Sequence, residues 1–223
     1  RFAVRKCRKV VSVDTVLKRY VEKTMPAYSE KIVVIPNYVD LKVFKPMKTK
    51  KKGKKVILLP RNLTKNRGID VMLDAFALLG RKDAELWVAG TGPLQPMVKK
   101  AAANNANIKF LGHRDHYEEL PALYNAADVV VVPSRGVEGT SLAVLEAMAC
   151  GKAVVASRVG GIPDIISDGK DGVLCEPRAG AFAEAIRKVL DGDNRAMARN
   201  GLSRAMQFSF ERWSASWLDF FGA

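Results

Sequence analysis

Residues 133–151 read PSRGVEGTSLAVLEAMACG and follow the unbroken apolar run VVVV at residues 129–132. Such a run predicts a strand that is buried on both faces. Gly136 and Gly139 then indicate a loop, Ser141 marks the start of a helix, and Gly151 marks its end. A helix that starts after a glycine-rich loop presents free backbone N–H groups, which favour an anion such as phosphate.

Two carboxylates frame this loop, Glu138 before the helix and Glu146 within it. About 7 Å of helix separates Ser141 from Glu146, at roughly 1.5 Å per residue. A diphosphate at the helix start would therefore leave Glu146 near an attached sugar, and an ionised carboxylate accepts hydrogen bonds from neighbouring hydroxyls. The alternative interpretation is a surface helix that carries two solvated glutamates.

Apolar runs alternate with helical patterns along the chain from residue 55. We predict strands at residues 56–60, 86–90, 108–111, 129–132, 153–157 and 172–175. We predict helices at residues 69–79, 94–103, 117–127, 141–149 and 182–190, and a short one at 163–167. This alternation predicts an α/β fold with a doubly wound parallel sheet, whose ligands bind at the carboxyl ends of the strands.

The loop after the first of these strands is cationic. Arg61, Lys65 and Arg67 precede Gly68, where the next helix begins. These side chains could close over a diphosphate, since arginine offers a planar fork of donors and lysine a point charge. A basic surface turn is the alternative interpretation.

A glycine pair follows the second strand, in the sequence GTGP at residues 90–93. This is half of the fingerprint of a dinucleotide-binding site, but the third glycine is missing and no acidic residue ends the next strand. A dinucleotide-dependent oxidoreductase is therefore a weaker hypothesis. A non-catalytic binding module, such as a basic domain on RNA, is a second rival.

The composition is that of a globular chain, since 48% of the 223 residues are hydrophobic and 27% are charged. We find no signal peptide and no run of the ~18 apolar residues that a transmembrane helix needs. The three cysteines form no C-x-x-C pair, which favours a reducing, cytoplasmic setting, and the two histidines form no Cys/His cluster for a metal. Because Arg1 and not Met begins the sequence, we expect a fragment of a longer protein.

The net charge of +14 is concentrated in the amino-terminal quarter. Residues 1–55 hold 17 basic and 4 acidic residues, which is +13, and they end in the flexible, lysine-rich connector KTKKKGKK at residues 48–55. Such charge favours an anionic surface, either lipid headgroups or nucleic acid, of which we disfavour the second. A solvated face followed by a charged linker is the alternative.

The order Pro-Ser, E-x7-E and LEAMA-x-G at residues 133–151 resembles the donor site of retaining glycosyltransferases with the GT-B fold. It is most similar to glycosyltransferase family 4 (glycosyl transferases group 1). The phrase I-P-N-x-V-D…F-x-P at residues 35–46 resembles the family's hinge between acceptor and donor domains, and residues 160–164 resemble its G-G-x-x-E turn. This chain departs from the family at Thr140-Ser141, where Phe-Gly is common, and at Arg67, where lysine is usual.

The resemblance implies three segments. Residues 1–46 would be the end of the acceptor domain and the hinge. Residues 47–206 would be a Rossmann-like domain that binds a nucleotide sugar. Residues 207–223, which are rich in aromatic side chains, would form a last helix that crosses back to the first domain.

The resemblance also implies an activity, which is the transfer of a hexose from a UDP- or GDP-linked donor with retention of configuration, without a metal or other cofactor. It assigns Glu138, Arg61 and Arg67 to catalysis. It assigns donor binding to Arg61, Lys65, Arg67, Gly112, His113, Glu138, Gly139, Thr140, Ser141, Leu142 and Glu146. Lys65 and Arg67 remain alternatives for the second phosphate ligand.

The implied partners are the donor and an acceptor glycan or lipid-linked sugar, bound through a first domain outside this chain. We therefore expect the chain by itself to bind the donor and to transfer little. The implied setting is cell-envelope or lipid-linked glycan synthesis, on the inner face of the membrane.

Overall fold

The strands of the chain form two parallel sheets in a computed structural model, which describes residues 2–49, 53–136 and 138–222. In the small sheet, β1 (Val10–Ser12) pairs with β2 (Ile32–Val34). Helices α1 (Phe2–Lys6) and α2 (Thr15–Thr24) and the 3-10 helix Pro26–Lys31 accompany it. The carboxylate of Asp14 accepts a hydrogen bond from the Val16 N–H group at 2.9 Å, as expected for the residue that caps a helix.

The large sheet has six parallel strands in the order β5-β4-β3-β6-β7-β8. Their bounds are β3 (Lys55–Pro60), β4 (Ala84–Ala89), β5 (Ile108–Gly112), β6 (Val129–Val132), β7 (Ala153–Ser157) and β8 (Val173–Cys175). Counted from β3 this is the order 3-2-1-4-5-6 of a Rossmann sheet, in which ligands bind where the order reverses. The reversal lies between β3 and β6. The loop after β3 holds the cations, and the loop and helix after β6 hold Glu138 and Glu146.

Two hydrophobic cores cover the two faces of this sheet. Ile57 and Leu59 of β3 lie in one core and Leu58 lies in the other, because successive side chains of a strand point to opposite faces. The helices are α3 (Ile69–Leu79), α4 (Gln95–Asn104), α5 (Leu120–Ala126), α6 (Leu142–Ala149), α7 (Ile162–Ile165), α8 (Ala179–Asp191), α9 (Arg195–Ala205) and α10 (Phe210–Phe221). The predicted doubly wound α/β fold is confirmed.

The element bounds differ from the prediction at a few ends. A helix predicted from residue 117 begins at Leu120 instead, because the Asp115 carboxylate accepts the N–H groups of Tyr117 and Glu118 and holds them in a turn. Helix α8 begins three residues before its predicted start, and α9 was not predicted. Part of the predicted connector at residues 48–55 lies outside the described residues, and β3 begins at its last residue, Lys55.

Two polar side chains help to join the small sheet and the hinge segment to the loops and helices around the large sheet. The Thr140 hydroxyl accepts the Asn37 N–H group at 3.1 Å and donates to the Val13 carbonyl group. The Asp164 carboxylate accepts the backbone N–H group of Thr15 at 2.8 Å and its hydroxyl at 2.7 Å. Polar contacts thus bring the carboxyl end of β1 against the start of α6.

The last helix, α10, returns to the hinge segment. The ring of Tyr38 lies 5.2 Å from that of Phe210 and 5.1 Å from that of Trp213. The division of the chain into segments at residues 46 and 206 remains a prediction. Over the described part of the chain, no helix combines the length and the apolar character that a membrane crossing needs.

Candidate functional site

A cavity of about 570 Å³ opens at the carboxyl ends of β3, β4 and β5, beside the first turns of α6. Its lining includes seven of the residues that sequence analysis assigned to the site: Arg61, Arg67, His113, Glu138, Thr140, Leu142 and Glu146. Four of the assigned residues do not line it: Lys65, Gly112, Gly139 and Ser141. Two of the three predicted cations and both predicted carboxylates therefore share one cavity.

Glu138 forms an ion-paired cluster with both arginines. Arg61 Nη2 donates to the two oxygens of Glu138 at 3.0 Å and 2.8 Å, and Arg67 Nη1 donates to Oε2. The side chain of Glu138 is only 6% exposed and that of Arg61 8%, whereas that of Arg67 is 35% exposed. Sequence analysis placed these groups in one site but did not predict that they pair with each other.

The cluster keeps the Glu138 carboxylate ionised. Burial by itself would raise the pKa of Glu138, but the charge of Arg61 and the hydrogen bonds from Arg61 and Ser134 outweigh it, with a smaller contribution from Arg67. The pKa therefore lies below the ordinary value of a glutamate. Ser134 donates its hydroxyl to Oε2 at 2.9 Å and accepts Arg61 Nη2 at 3.0 Å.

Two glycines let the cationic loop pack against its neighbours. Gly68 has a φ of +68°, and a Cβ atom there would fall 1.8 Å from the carbonyl oxygen of Pro133. Gly90 has a φ of +138°, and a Cβ atom there would fall 2.0 Å from the carbonyl oxygen of Arg61. A side chain at either position would displace the loop that carries both arginines. The GTGP turn thus supports the site through its backbone.

Of the two alternatives for the second cation, the geometry favours Arg67. Lys65 is exposed on the 3-10 helix Lys65–Arg67 and does not line the cavity, whereas Arg67 does and pairs with Glu138. Arg67 precedes the left-handed Gly68, whose carbonyl group accepts the Met72 N–H group at 3.0 Å as α3 begins. The lysine predicted as an alternative therefore lies outside the lining of the cavity.

The start of α6 is less open than the sequence suggested. A Cβ atom at Gly139 would fall 2.8 Å from Val13, so the loop after β1 covers this glycine. The Ser141 hydroxyl is buried and has no partner among the described residues. The Thr140 hydroxyl is bonded to Asn37 and Val13, and of the three residues 140–142 only Leu142 is well exposed.

Glu146 is held by two side chains that sequence analysis did not connect with it. The Tyr124 hydroxyl donates to Glu146 Oε2 at 2.6 Å, and His116 Nε2 lies 3.3 Å from Oε1. Burial raises the pKa of Glu146 above its ordinary value, although the Tyr124 hydrogen bond and the charges of His116 and Arg61 oppose this. The carboxylate is thus held by two partners at the lining of the cavity.

His113 and Gly112 follow β5. His113 lines the cavity. The Gly112 carbonyl group accepts the Gly90 N–H group at 2.7 Å, so its backbone pairs the end of β5 with the residue after β4. Within the described ranges, no group of three or more His, Cys, Asp or Glu side chains is placed to hold a metal ion. Among the charged side chains that line this cavity, the ion-paired cluster of Arg61, Arg67 and Glu138 and the buried carboxylate of Glu146 suit an anion joined to hydroxyl groups.

Comparison with known proteins identifies the family. The model of the family described as "Glycosyl transferases group 1" matches residues 54–192, which is more than half of the chain. The chain therefore belongs to the glycosyl transferases group 1 family, as its resemblance predicted.

Two relatives come from Mycobacterium tuberculosis. A phosphatidyl-myo-inositol mannosyltransferase is 30% identical over 194 residues, which are 82% of this chain and 50% of the relative. A GDP-mannose-dependent alpha-(1-6)-phosphatidylinositol dimannoside mannosyltransferase is 31% identical over 201 residues, which are 86% of this chain and 52% of the relative. The chain thus spans about half the length of these curated relatives.

Two solved structures share the fold. That of Anabaena HepE in complex with UDP and glucose superimposes with a TM-score of 0.85 at 21% identity, over 99% of this chain and 64% of that one. The C-terminal domain of a glycosyl transferase group 1 family protein from Francisella tularensis superimposes with a TM-score of 0.67 at 29% identity. The match covers 77% of this chain and 99% of that domain.

We predict that Tyr124→Phe raises the pKa of Glu146 further, because it removes a hydrogen bond that stabilises the ionised carboxylate. The ring itself would keep its edge-on contact with Phe44, at 5.8 Å between centroids. A carbon-13 NMR titration of the Glu146 carboxyl group measures the change. Tyr28→Phe, which alters a tyrosine outside the lining of the cavity, is the matched control. An unchanged Glu146 pKa in Tyr124→Phe would contradict the hydrogen bond between Tyr124 and Glu146.

Proposed function

We propose that this chain is the donor-binding part of a retaining glycosyltransferase, which transfers a hexose from a nucleoside diphosphate sugar. The observation that carries the proposal is the cavity itself, whose lining brings Arg61 and Arg67 together with the buried carboxylates of Glu138 and Glu146. Paired guanidinium groups suit a diphosphate, and carboxylates suit the hydroxyls on either side of it.

In this proposal each part of the donor has its own ligands. Arg61 and Arg67 hold the diphosphate together with the N–H groups at the start of α6, Glu146 accepts the ribose hydroxyls, and Glu138 accepts hydroxyls of the transferred sugar. Negative charge builds up on the leaving phosphate as the glycosidic bond breaks. Arg61, which is held in a buried cluster, stabilises that charge with little reorganisation.

The names of similar proteins support a nucleotide sugar as the donor. HepE, with the same fold, was solved with UDP and glucose, and one mycobacterial relative is named as GDP-mannose-dependent. Both mycobacterial relatives are named for phosphatidylinositol acceptors, which favours a lipid-linked acceptor for this protein as well. The acceptor would bind through a part of the protein beyond this chain.

The dinucleotide-dependent oxidoreductase is disfavoured by the role of the GTGP turn. Gly90 and Gly92 pack against the backbone of Arg61 and Leu63, which explains the glycine pair without a dinucleotide. A non-catalytic nucleotide-binding module would hold the same donor. Transfer of labelled hexose by the full-length protein separates that module from an enzyme.

We predict that Glu146→Ala weakens the binding of UDP and GDP by about 1.5–3 kcal/mol, the scale of hydrogen bonds to a charged group. Calorimetric titration measures the loss. Binding of the 2′-deoxy nucleotides should fall much less, because they lack one of the hydroxyls that Glu146 would accept.

Glu184→Ala is the control for this experiment, because it removes a carboxylate from an exposed position of α8. It should leave all affinities unchanged. If Glu146→Ala binds UDP and GDP within twofold of the parent, the ribose assignment is wrong.

We also propose that the basic amino-terminal segment attaches the protein to anionic membranes. Lys18, Arg19 and Lys23 are exposed along α2, next to the exposed apolar parts of Val16 and Tyr20. Each cation near an anionic bilayer contributes about 1 kcal/mol, and salt screens this contribution.

Sedimentation with vesicles tests the membrane proposal. The chain should bind anionic vesicles at low salt and dissociate from them at high salt. It should not bind neutral vesicles. Lys18→Glu with Lys23→Glu should weaken binding by about 30-fold or more, because the loss of two cations at about 1 kcal/mol each already gives that factor. Lys99→Glu with Lys100→Glu on α4 should not weaken it. Equal partitioning to anionic and neutral vesicles would refute the proposal.

A further inference from the structure

The two arginines assigned to the diphosphate are already engaged by a carboxylate. Both oxygens of Glu138 accept N–H groups of Arg61, and Oε2 also accepts Arg67. A carboxylate and a phosphate group offer the guanidinium fork the same pattern of acceptors. A diphosphate that reaches these arginines must therefore displace Glu138 from them or share them with it.

The diphosphate and Glu138 can share the donors of the two arginines only in part. The Nε–H group of Arg61 is buried and has no acceptor among the described residues, so it is one donor that a phosphate oxygen can take without disturbing Glu138. Arg67 is 35% exposed and can turn towards a ligand, whereas Glu138 is 6% exposed and surrounded by its partners. The negative charge of Glu138 thus remains close to any phosphate that binds here.

The cost of that proximity depends on whether a sugar is attached. Hydroxyls of a bound sugar donate to Glu138 and replace the N–H groups that the phosphates take from it, so that every acceptor remains satisfied. The nucleoside diphosphate that remains after transfer brings no such hydroxyls and carries one more negative charge at neutral pH. The nucleoside diphosphate therefore leaves the Glu138 carboxylate without hydrogen-bond donors and is repelled by its negative charge.

We propose that Glu138 competes with the diphosphate for Arg61 and Arg67, so that the site favours the nucleotide sugar over the nucleoside diphosphate and expels the latter after transfer. This inference rests on the proposed function of the cavity. It adds a second role to Glu138: besides contacting the sugar, the residue limits inhibition by the product. Ser134, which donates its hydroxyl to Oε2 at 2.9 Å, keeps Glu138 oriented during the exchange.

Replacement of the charge by an isosteric amide tests the proposal. Glu138→Gln should bind UDP and GDP about tenfold more tightly than the parent, the scale expected for removing a like charge from a partly screened site. UDP-glucose and GDP-mannose should gain nothing, because the amide is a poorer acceptor for sugar hydroxyls. Calorimetric titration of the 223-residue chain gives both affinities, and their ratio is the decisive quantity.

Asp70→Asn is the matched control. Asp70 carries a negative charge on the first turn of α3 and pairs with Arg135 at 2.8 Å, not with the two site arginines. It should leave the ratio of the two affinities unchanged, which separates competition for Arg61 and Arg67 from a general gain in positive charge.

Glu138→Asp provides a second variant should the amide fail to give a cooperative melting transition. A carboxylate that is shorter by one methylene keeps the charge but cannot reach both guanidinium groups at once. It should tighten UDP and GDP binding by a smaller factor, about threefold.

The outcomes separate the inference from the function on which it rests. If the parent binds nucleotides but neither Glu138 variant binds UDP or GDP more tightly, Glu138 is not a competitor and the donor site stands. An equal gain in Asp70→Asn would also overturn the competition. If the parent binds no nucleotide at all, the proposed function fails, and this inference fails with it.

Discussion

The buried pair of Arg61 and Glu138 joins the two loops on which the cavity depends. Both side chains are more than nine-tenths buried, and an unpaired charge at that depth would cost several kcal/mol. Each is therefore tolerated only because the other is present, and Ser134 and Arg67 donate further hydrogen bonds to Glu138. The loop after β3 and the loop after β6 are thereby fixed in one relative position before any phosphate or sugar arrives, and a site of this kind needs that preorganisation.

The sheet order explains why these loops meet at all. β3 and β6 are neighbours, and because the strands are parallel their carboxyl ends lie at the same edge. Gly68 against Pro133 and Gly90 against Arg61 then bring the backbones closer than any side chain would allow. The hinge completes the arrangement, since Thr140 at the start of α6 binds both Asn37 and Val13. A hydroxyl at this position thus links the cavity to the amino-terminal segment.

Local patterns in the sequence predict the elements of the fold well and their contacts poorly. The run at residues 129–132 predicts β6 because burial on both faces requires an apolar side chain at every position. Helix α9 escapes prediction because only Gly201 and Ala205 are buried on it, and small residues leave no apolar stripe. The site residues can be recognised from their residue types and from the loops in which they lie. The hydrogen bond between Arg61 and Glu138, however, joins residues 77 positions apart, and no sequence periodicity predicts it. For the same reason the sequence does not indicate that Tyr124 and His116 hold Glu146.

The central claim is that the guanidinium cluster binds phosphate, and its most direct test is the response of Arg61→Ala to phosphate number. Calorimetric titrations of the parent and the variant with uridine, UMP and UDP, and with the guanosine series, measure it. If the account is right, the variant loses affinity in step with the number of phosphates, by about 2 kcal/mol for the diphosphate, and binds the nucleosides as the parent does. Equal binding of the diphosphates by parent and variant would contradict the account, because the loop after β3 would then be a basic surface turn.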